Sequence, residues 1–167
     1  MSYTYNTDMA DVRLLLSSIP AGSWYSTQSQ NSTDDLVEYI MTVNNTDFER
    51  DIAVVDGSKF TVEYAGLYNL QFSAQIFNSD GGGNSAAIEI WLKKNGTTIP
   101  ATGGKVSVTA NHPHAIAAWN YFVPLAVGDY LQLAWTTNVI GINLIQNTSL
   151  GPGASVPSLI VTMSQVA

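Results

Sequence analysis

The sequence contains no cysteine, only six Lys and Arg, and no run of 18 apolar residues that could cross a membrane as a helix. Without cysteine there is no disulfide framework, thiolate metal site or cysteine nucleophile. The positive residues Arg13, Arg50, Lys59, Lys93, Lys94 and Lys105 form no run longer than two, so the clustered basic charge of a nucleic-acid surface is missing. Against thirteen Asp and Glu they leave a net charge of −7. Charged residues make up 11% of the chain, under half the ~25% of an ordinary domain, so the surface has to be neutral-polar. The N-terminus, MSYTYNTDMADVRLLL, carries acids where a secretion signal has a positive region followed by an apolar one. It reads as a soluble, non-membrane chain made in a cytoplasm.

What is present is β-forming. Hydrophobic residues are 46% of 167, enough for one core of ordinary size. From about Phe60 onward, short β-branched and aromatic runs alternate with period two between turn residues, the pattern of an all-β sandwich or barrel. In Gly66–Ile76 the alternation puts Tyr68, Leu70, Phe72, Ala74 and Ile76 on a core face and Asn69, Gln71, Ser73 and Gln75 on the other. Ser79–Ser85 reads as a loop, Ala86–Lys93 as a strand, and Asn95-Gly96 as a tight hairpin turn. Further strands are predicted at 105–110, 115–123, 130–136, 140–145 and 158–164, with Gly128-Asp129 and Gly151-Pro-Gly153 as breakers. The run Ala115–Val123 is apolar on both faces, so its second face is expected to be covered by another subunit. Leu36–Val43 alternates as a strand and Trp24-Tyr25 opens the first. Residues 1–22 form a separate attachment arm with a short helix over Met9–Leu16, capped by Thr7 or Asp8, ahead of a domain spanning 23–167.

Chemical motifs are sparse. His112-Pro-His114 lacks the ligand spacing of a metal site and reads as a solvated turn. Asp34, Asp35 and Glu38, and Asp47, Glu49 and Asp51, are dense in carboxylate but lack the alternating ligands of a calcium loop. No serine sits beside an identifiable base, and paired carboxylates for glycoside hydrolysis would have to come from Glu38, Glu63 and Glu89. The chain reads as a non-enzyme with no cofactor and no metal. Four Asn-x-Ser/Thr triplets, at Asn31, Asn44, Asn95 and Asn147, are expected by chance in so Asn- and Thr-rich a sequence. Trp91, Trp119, Trp135, Tyr121 and Phe122 lie at strand spacing, which favours core packing over a sugar-stacking platform.

Phe60-Thr-Val-Glu-Tyr-Ala-Gly66-Leu-Tyr68-Asn-Leu70-Gln-Phe72 resembles the signature of the globular heads of complement and collagen-like proteins, with Leu70 in place of an aromatic. Those heads share the trimeric jelly roll of the tumour necrosis factor family. A closer likeness, over residues 23–167, is to jelly-roll domains in structural proteins of bacterial viruses. It is carried by Trp24-Tyr25, Ala65–Gln75, Ile90–Gly96, Ala117–Asn120, Gly128–Leu131 and Val156–Thr162. The resemblance implies an all-β jelly-roll sandwich and a homotrimer about a threefold axis, with Asn69, Gln71, Asn120 and Phe122 expected at the axis. It implies a virion protein on the outer surface of a phage capsid: a decoration or cement protein whose arm residues Val12, Leu14, Leu15 and Leu16 attach to the major capsid protein. The alternative is the knob of a head or tail fibre that binds a host-surface glycan or receptor through outer loops such as Asp80–Ser85 and Asn111–His114. A chain opening at Met with only a short arm ahead of the domain favours decoration over a fibre with a long shaft.

Overall fold

The period-two runs become two antiparallel sheets packed face to face, a β-sandwich with all its strands antiparallel. The computed structural model describes residues 19–80, 86–147 and 151–167. In chain order the strands are β1 (Ala21–Ser26), β2 (Tyr39–Ile40), β3 (Asn45–Arg50), β4 (Ile52–Val55), β5 (Lys59–Val62), β6 (Gly66–Asn78), β7 (Ala87–Lys94), β8 (Thr97–Thr98), β9 (Gly104–Ser107), β10 (His114–Leu125), β11 (Tyr130–Thr137), β12 (Ile142–Leu144) and β13 (Leu159–Gln165). One sheet runs β10-β6-β13-β1-β3, with β12 continuing beside β6. The other runs β4-β5-β11-β7-β8, with β2 beside β11 and β9 beside β7.

The core lies between them and is built from the predicted faces. Tyr68, Leu70, Phe72, Ala74 and Ile76 of β6, with Val161 and Met163 of β13 and Trp24 of β1, meet Ile88, Ile90 and Leu92 of β7 and Leu131, Leu133 and Trp135 of β11. Trp24 packs on Phe60 with ring centroids 5.2 Å apart, and its indole N–H escapes burial unpaired by donating to Glu49 at 3.1 Å. Trp135, whose strand spacing favoured core packing, is a core residue tilted against Tyr39.

The turns follow residue chemistry. Asn95 and Gly96 both take positive φ, +50° and +79°, and join Lys94 to Thr97 as a two-residue hairpin. Asp129 ties that hairpin to the β10–β11 turn. Its carboxylate meets Lys94 at 2.7 Å and accepts from Asn95 Nδ2 at 2.7 Å and from the Ala126 N–H at 2.8 Å. The Lys94 contact, then the Asn95 and Ala126 bonds, hold the carboxyl down at about 2.

Two expectations are corrected. The strand over Leu36–Val43 shrinks to Tyr39–Ile40, because Leu36 takes φ +56° in a turn closed by Tyr39, whose hydroxyl accepts the N–H groups of Thr33 and Asp34. The sandwich starts at Ala21, so Ala21 and Gly22, assigned to the arm, belong to β1. Gly66 is needed for room, since a Cβ there would collide with the Gln165 side chain and lie 2.7 Å from the Ala167 carbonyl oxygen. The predicted helix over Met9–Leu16, the arm residues Val12, Leu14, Leu15 and Leu16, and the loop at 81–85 lie outside the described residues.

Candidate functional site

Neighbouring residues on one strand face opposite ways, so the strands that fill the core with one set of side chains present the other set outward. On the first sheet the register lines these up in rows. Asn120 pairs with Gln71, Gln71 with Thr162, Thr162 with Ser23 and Ser23 with Phe48. One row along, Phe122 pairs with Asn69, Asn69 with Ser164, Ser164 with Ala21 and Ala21 with Arg50. On the other side Ala118, Ser73, Ile160 and Tyr25 form a third row. The four residues expected at a subunit contact, Asn69, Gln71, Asn120 and Phe122, thus stand together as two adjacent cross-strand pairs on β6 and β10.

This face has three properties. First, β10, β6, β13 and β1 contain no Asp, Glu, Lys or Arg, and Arg50 appears only at the far edge on β3. Second, large apolar side chains stand open on it: Ile116 is 64% and Phe122 58% exposed on β10, Ile160 stands open two strands away on β13, and Phe48 does so on the far edge strand β3. Third, Asn69 Oδ1 is closed to solvent yet has no hydrogen-bond donor among the described residues, a state that costs about 1–3 kcal/mol. A shallow hollow of 160 Å³ between β6 and β13, lined by Gln71, Ser73, Ile160 and Thr162, gives the face relief. Charge depletion around an aromatic and aliphatic centre is what distinguishes the middle of a protein interface from ordinary surface.

Among the described residues the sheet ends at β10, which pairs along its length with β6 alone. A twelve-residue edge is a template for another chain unless it is covered or blunted. Here the blunting is slight: Pro124 removes one N–H, and its carbonyl accepts from Lys94 Nζ at 3.0 Å.

The second sheet is built differently. Its outer face carries ion pairs, Lys93 with Glu38 and Lys105 with Glu89 at 3.3 Å, as expected of a surface left in water. A hollow opens on it where β8 and β9 pair with the same edge of β7 and the chain between them arches away. The arch is pinned at Thr102, whose hydroxyl accepts the Leu92 N–H at 3.1 Å and donates to the Ile99 carbonyl at 2.8 Å. From the opposite sheet Tyr121 Oη donates to the Thr102 carbonyl at 2.8 Å, and burial pushes this phenol's pKa up, which keeps the proton in place. Beneath the arch a cleft of 400 Å³ is lined by Trp91, Glu89, Lys105, Thr98, Ile99 and Pro100 among others.

The remaining sequence candidates are dispersed. His112 is exposed, and His114 lies tilted against Phe77 with centroids 4.7 Å apart. Glu38 and Glu49 are engaged by Lys93 and Trp24, on different sheets. Among the described residues no three His, Asp or Glu side chains gather as a metal site. Trp119 and Tyr121 flank Phe72 from the core side of β10, while Trp91 faces outward. No family model and no curated protein matches the chain.

Proposed function

We propose that this chain is a structural protein of a bacterial virus, a jelly-roll sandwich that trimerises through the outer face of its first sheet and decorates the outside of a capsid. The observation that carries the self-association is the four-strand face without a single charged residue, with Phe122 and Ile116 exposed on it. Around a threefold axis, Asn69, Gln71 and Asn120 of three chains satisfy one another's donors and acceptors, and Asn69 Oδ1 gains the donor it lacks within the chain. The threefold symmetry, the jelly-roll connectivity and the virion location come from the resemblance to phage structural domains. The function is then mechanical. Three copies of a weak attachment, made by the arm with Val12, Leu14, Leu15 and Leu16 to the major capsid protein, act together through their shared trimer.

Light scattering on the purified chain, followed by co-sedimentation with capsids stripped of decoration, tests this reading. A mass of three chains with capsid binding supports it, and removal of residues 1–18 should leave a soluble trimer that no longer attaches. A trimer that ignores capsids and binds host cells points instead to the alternative, a fibre knob. A stable monomer overturns the assembly itself.

A further inference from the structure

The cleft under the 99–103 arch lies on the sheet opposite the proposed assembly face, so it stays open whether or not the chains associate through that face. Four observations on it converge. Trp91 supplies a broad aromatic wall, and its Nε1, closed to solvent, has no acceptor among the described residues. Glu89 and Lys105, both more than half exposed, place an acceptor and a donor side by side on the rim. Beyond that pair a second hollow of 110 Å³ is lined in part by Thr136, the cross-strand neighbour of Glu89, and Thr136 Oγ1, closed to solvent, also lacks a partner among the described residues. The arch itself is held from three directions, by Thr102 on Leu92 and Ile99, by Tyr121 from below, and by Trp119 against Gly104, where a Cβ would lie 2.8 Å from the indole ring. Ala101 at its crest takes φ +62°, a strained conformation for a residue with a Cβ. The cleft is therefore preformed.

An aromatic wall beside a mixed donor and acceptor rim suits a ligand with one apolar face and a hydroxyl edge. We propose that the cleft is a carbohydrate site for a neutral pyranose, the ring's C–H face resting on Trp91 and its hydroxyls bonding to Glu89 and Lys105. The 400 Å³ volume is within the range of small-ligand sites and the second hollow extends the groove for a further sugar unit. Neutral glycans are specified because the chain's charge of −7 repels polyanions at long range.

The test uses the full chain labelled with ¹⁵N. The Trp91 indole N–H resonance is assigned by its loss in Trp91→Phe and followed during titration with neutral α-glucan, β-glucan, galactan, mannan and N-acetylglucosamine oligosaccharides, with polysialic acid as the charged control. At least one neutral series should shift the Trp91 resonance at millimolar concentration or below, whereas polysialic acid should not. Glu89→Gln, an exposed change that leaves the fold intact, should weaken binding about fivefold to tenfold, and Trp91→Ala should weaken it more. No movement of the Trp91 resonance with any neutral series overturns the proposal. So does a shift that Glu89→Gln leaves unchanged, or a preference for polysialic acid. The mass of the assembly, measured on the same samples, reports independently on the assembly reading.

Discussion

Phe122→Ser isolates the contribution of the uncharged face. A phenylalanine presents roughly 200 Å² of side-chain surface, and at 58% exposure roughly 120 Å² of it awaits a partner. Covering that area is worth about 3 kcal/mol per chain at ~25 cal/mol per Å², about 9 kcal/mol over the three chains of a trimer, which moves the half-dissociation concentration by a factor on the order of a thousand. The same substitution costs the isolated sandwich little. The ring already faces water, Phe122 is absent from the core cluster, and exposed changes of this kind move stability by less than about 1 kcal/mol. Sedimentation velocity over a roughly ten-thousandfold concentration range should show the wild-type chain assembled and Phe122→Ser dissociating at concentrations on the order of a thousand times higher. Thermal melting of the two should nearly coincide under dissociating conditions. Asn69→Ala, which removes the orphaned Oδ1, should behave differently, changing the geometry or specificity of association more than its strength. If Phe122→Ser leaves the mass distribution unchanged while the wild type is assembled, the contact lies elsewhere and the face has been misread.

Two further outcomes probe the fold. Gly66→Val should lower the melting temperature and cost about 1–3 kcal/mol, because the new side chain must push away Gln165 and the Ala167 carbonyl that binds the Leu67 N–H. Faster hydrogen exchange at Leu67 would locate the damage, and an unchanged amide there would contradict it. Asp129 gives a pH signature: its carboxyl is held at about 2 in the folded chain against 3.8 ordinarily, so its contribution is complete at neutral pH and disappears as pH falls from about 4 through 2. Asp129→Asn should therefore cost roughly 1 kcal/mol at pH 7, after solvent screening is allowed for, and almost nothing at pH 2. Urea melts at the two values measure the difference, and an equal loss at both would mean that the carboxylate's charge is not what joins the turns.

The core strands were legible because each carries an uninterrupted alternation. β6 buries Tyr68 through Ile76 as its spacing predicts, and the Asn95-Gly96 turn needs only its two residues to specify a hairpin. β3 and β4 were not legible. Asn45–Arg50 is an edge strand with both sides largely in water, so no apolar face is imprinted on it. Asp56-Gly57, both at positive φ, is as plain a hairpin signal as Asn95-Gly96, but the short strands around it hid it. Tyr39 shows the limit of periodicity: a side chain that organises its own turn leaves no alternating pattern. For the candidate interface, the two apolar faces of Ala115–Val123 marked the strand that ends the sheet. A stronger sign was also present in the sequence, namely that β10, β6, β13 and β1 draw on none of the chain's nineteen charged residues. It becomes visible only once strands from distant parts of the chain are known to lie side by side. The Trp91 cleft had no linear signature, because β8 and β9 bring Thr98 and Lys105 to one strand edge through pairing alone.

The segregation of charge makes the molecule electrically lopsided. With no Asp, Glu, Lys or Arg on β10, β6, β13 and β1, dissolved ions have almost nothing to screen across those strands, and the charge of the described residues radiates from the rest of the sandwich. Two chains approaching in dilute buffer first feel mutual repulsion at long range, and only on touching do their neutral sides adhere. Added salt collapses the repulsion without loosening the adhesion. Association through this side should therefore tighten as ionic strength rises, the reverse of a contact held by ion pairs, and once closed an assembly should turn an acidic exterior toward its neighbours and hold them apart.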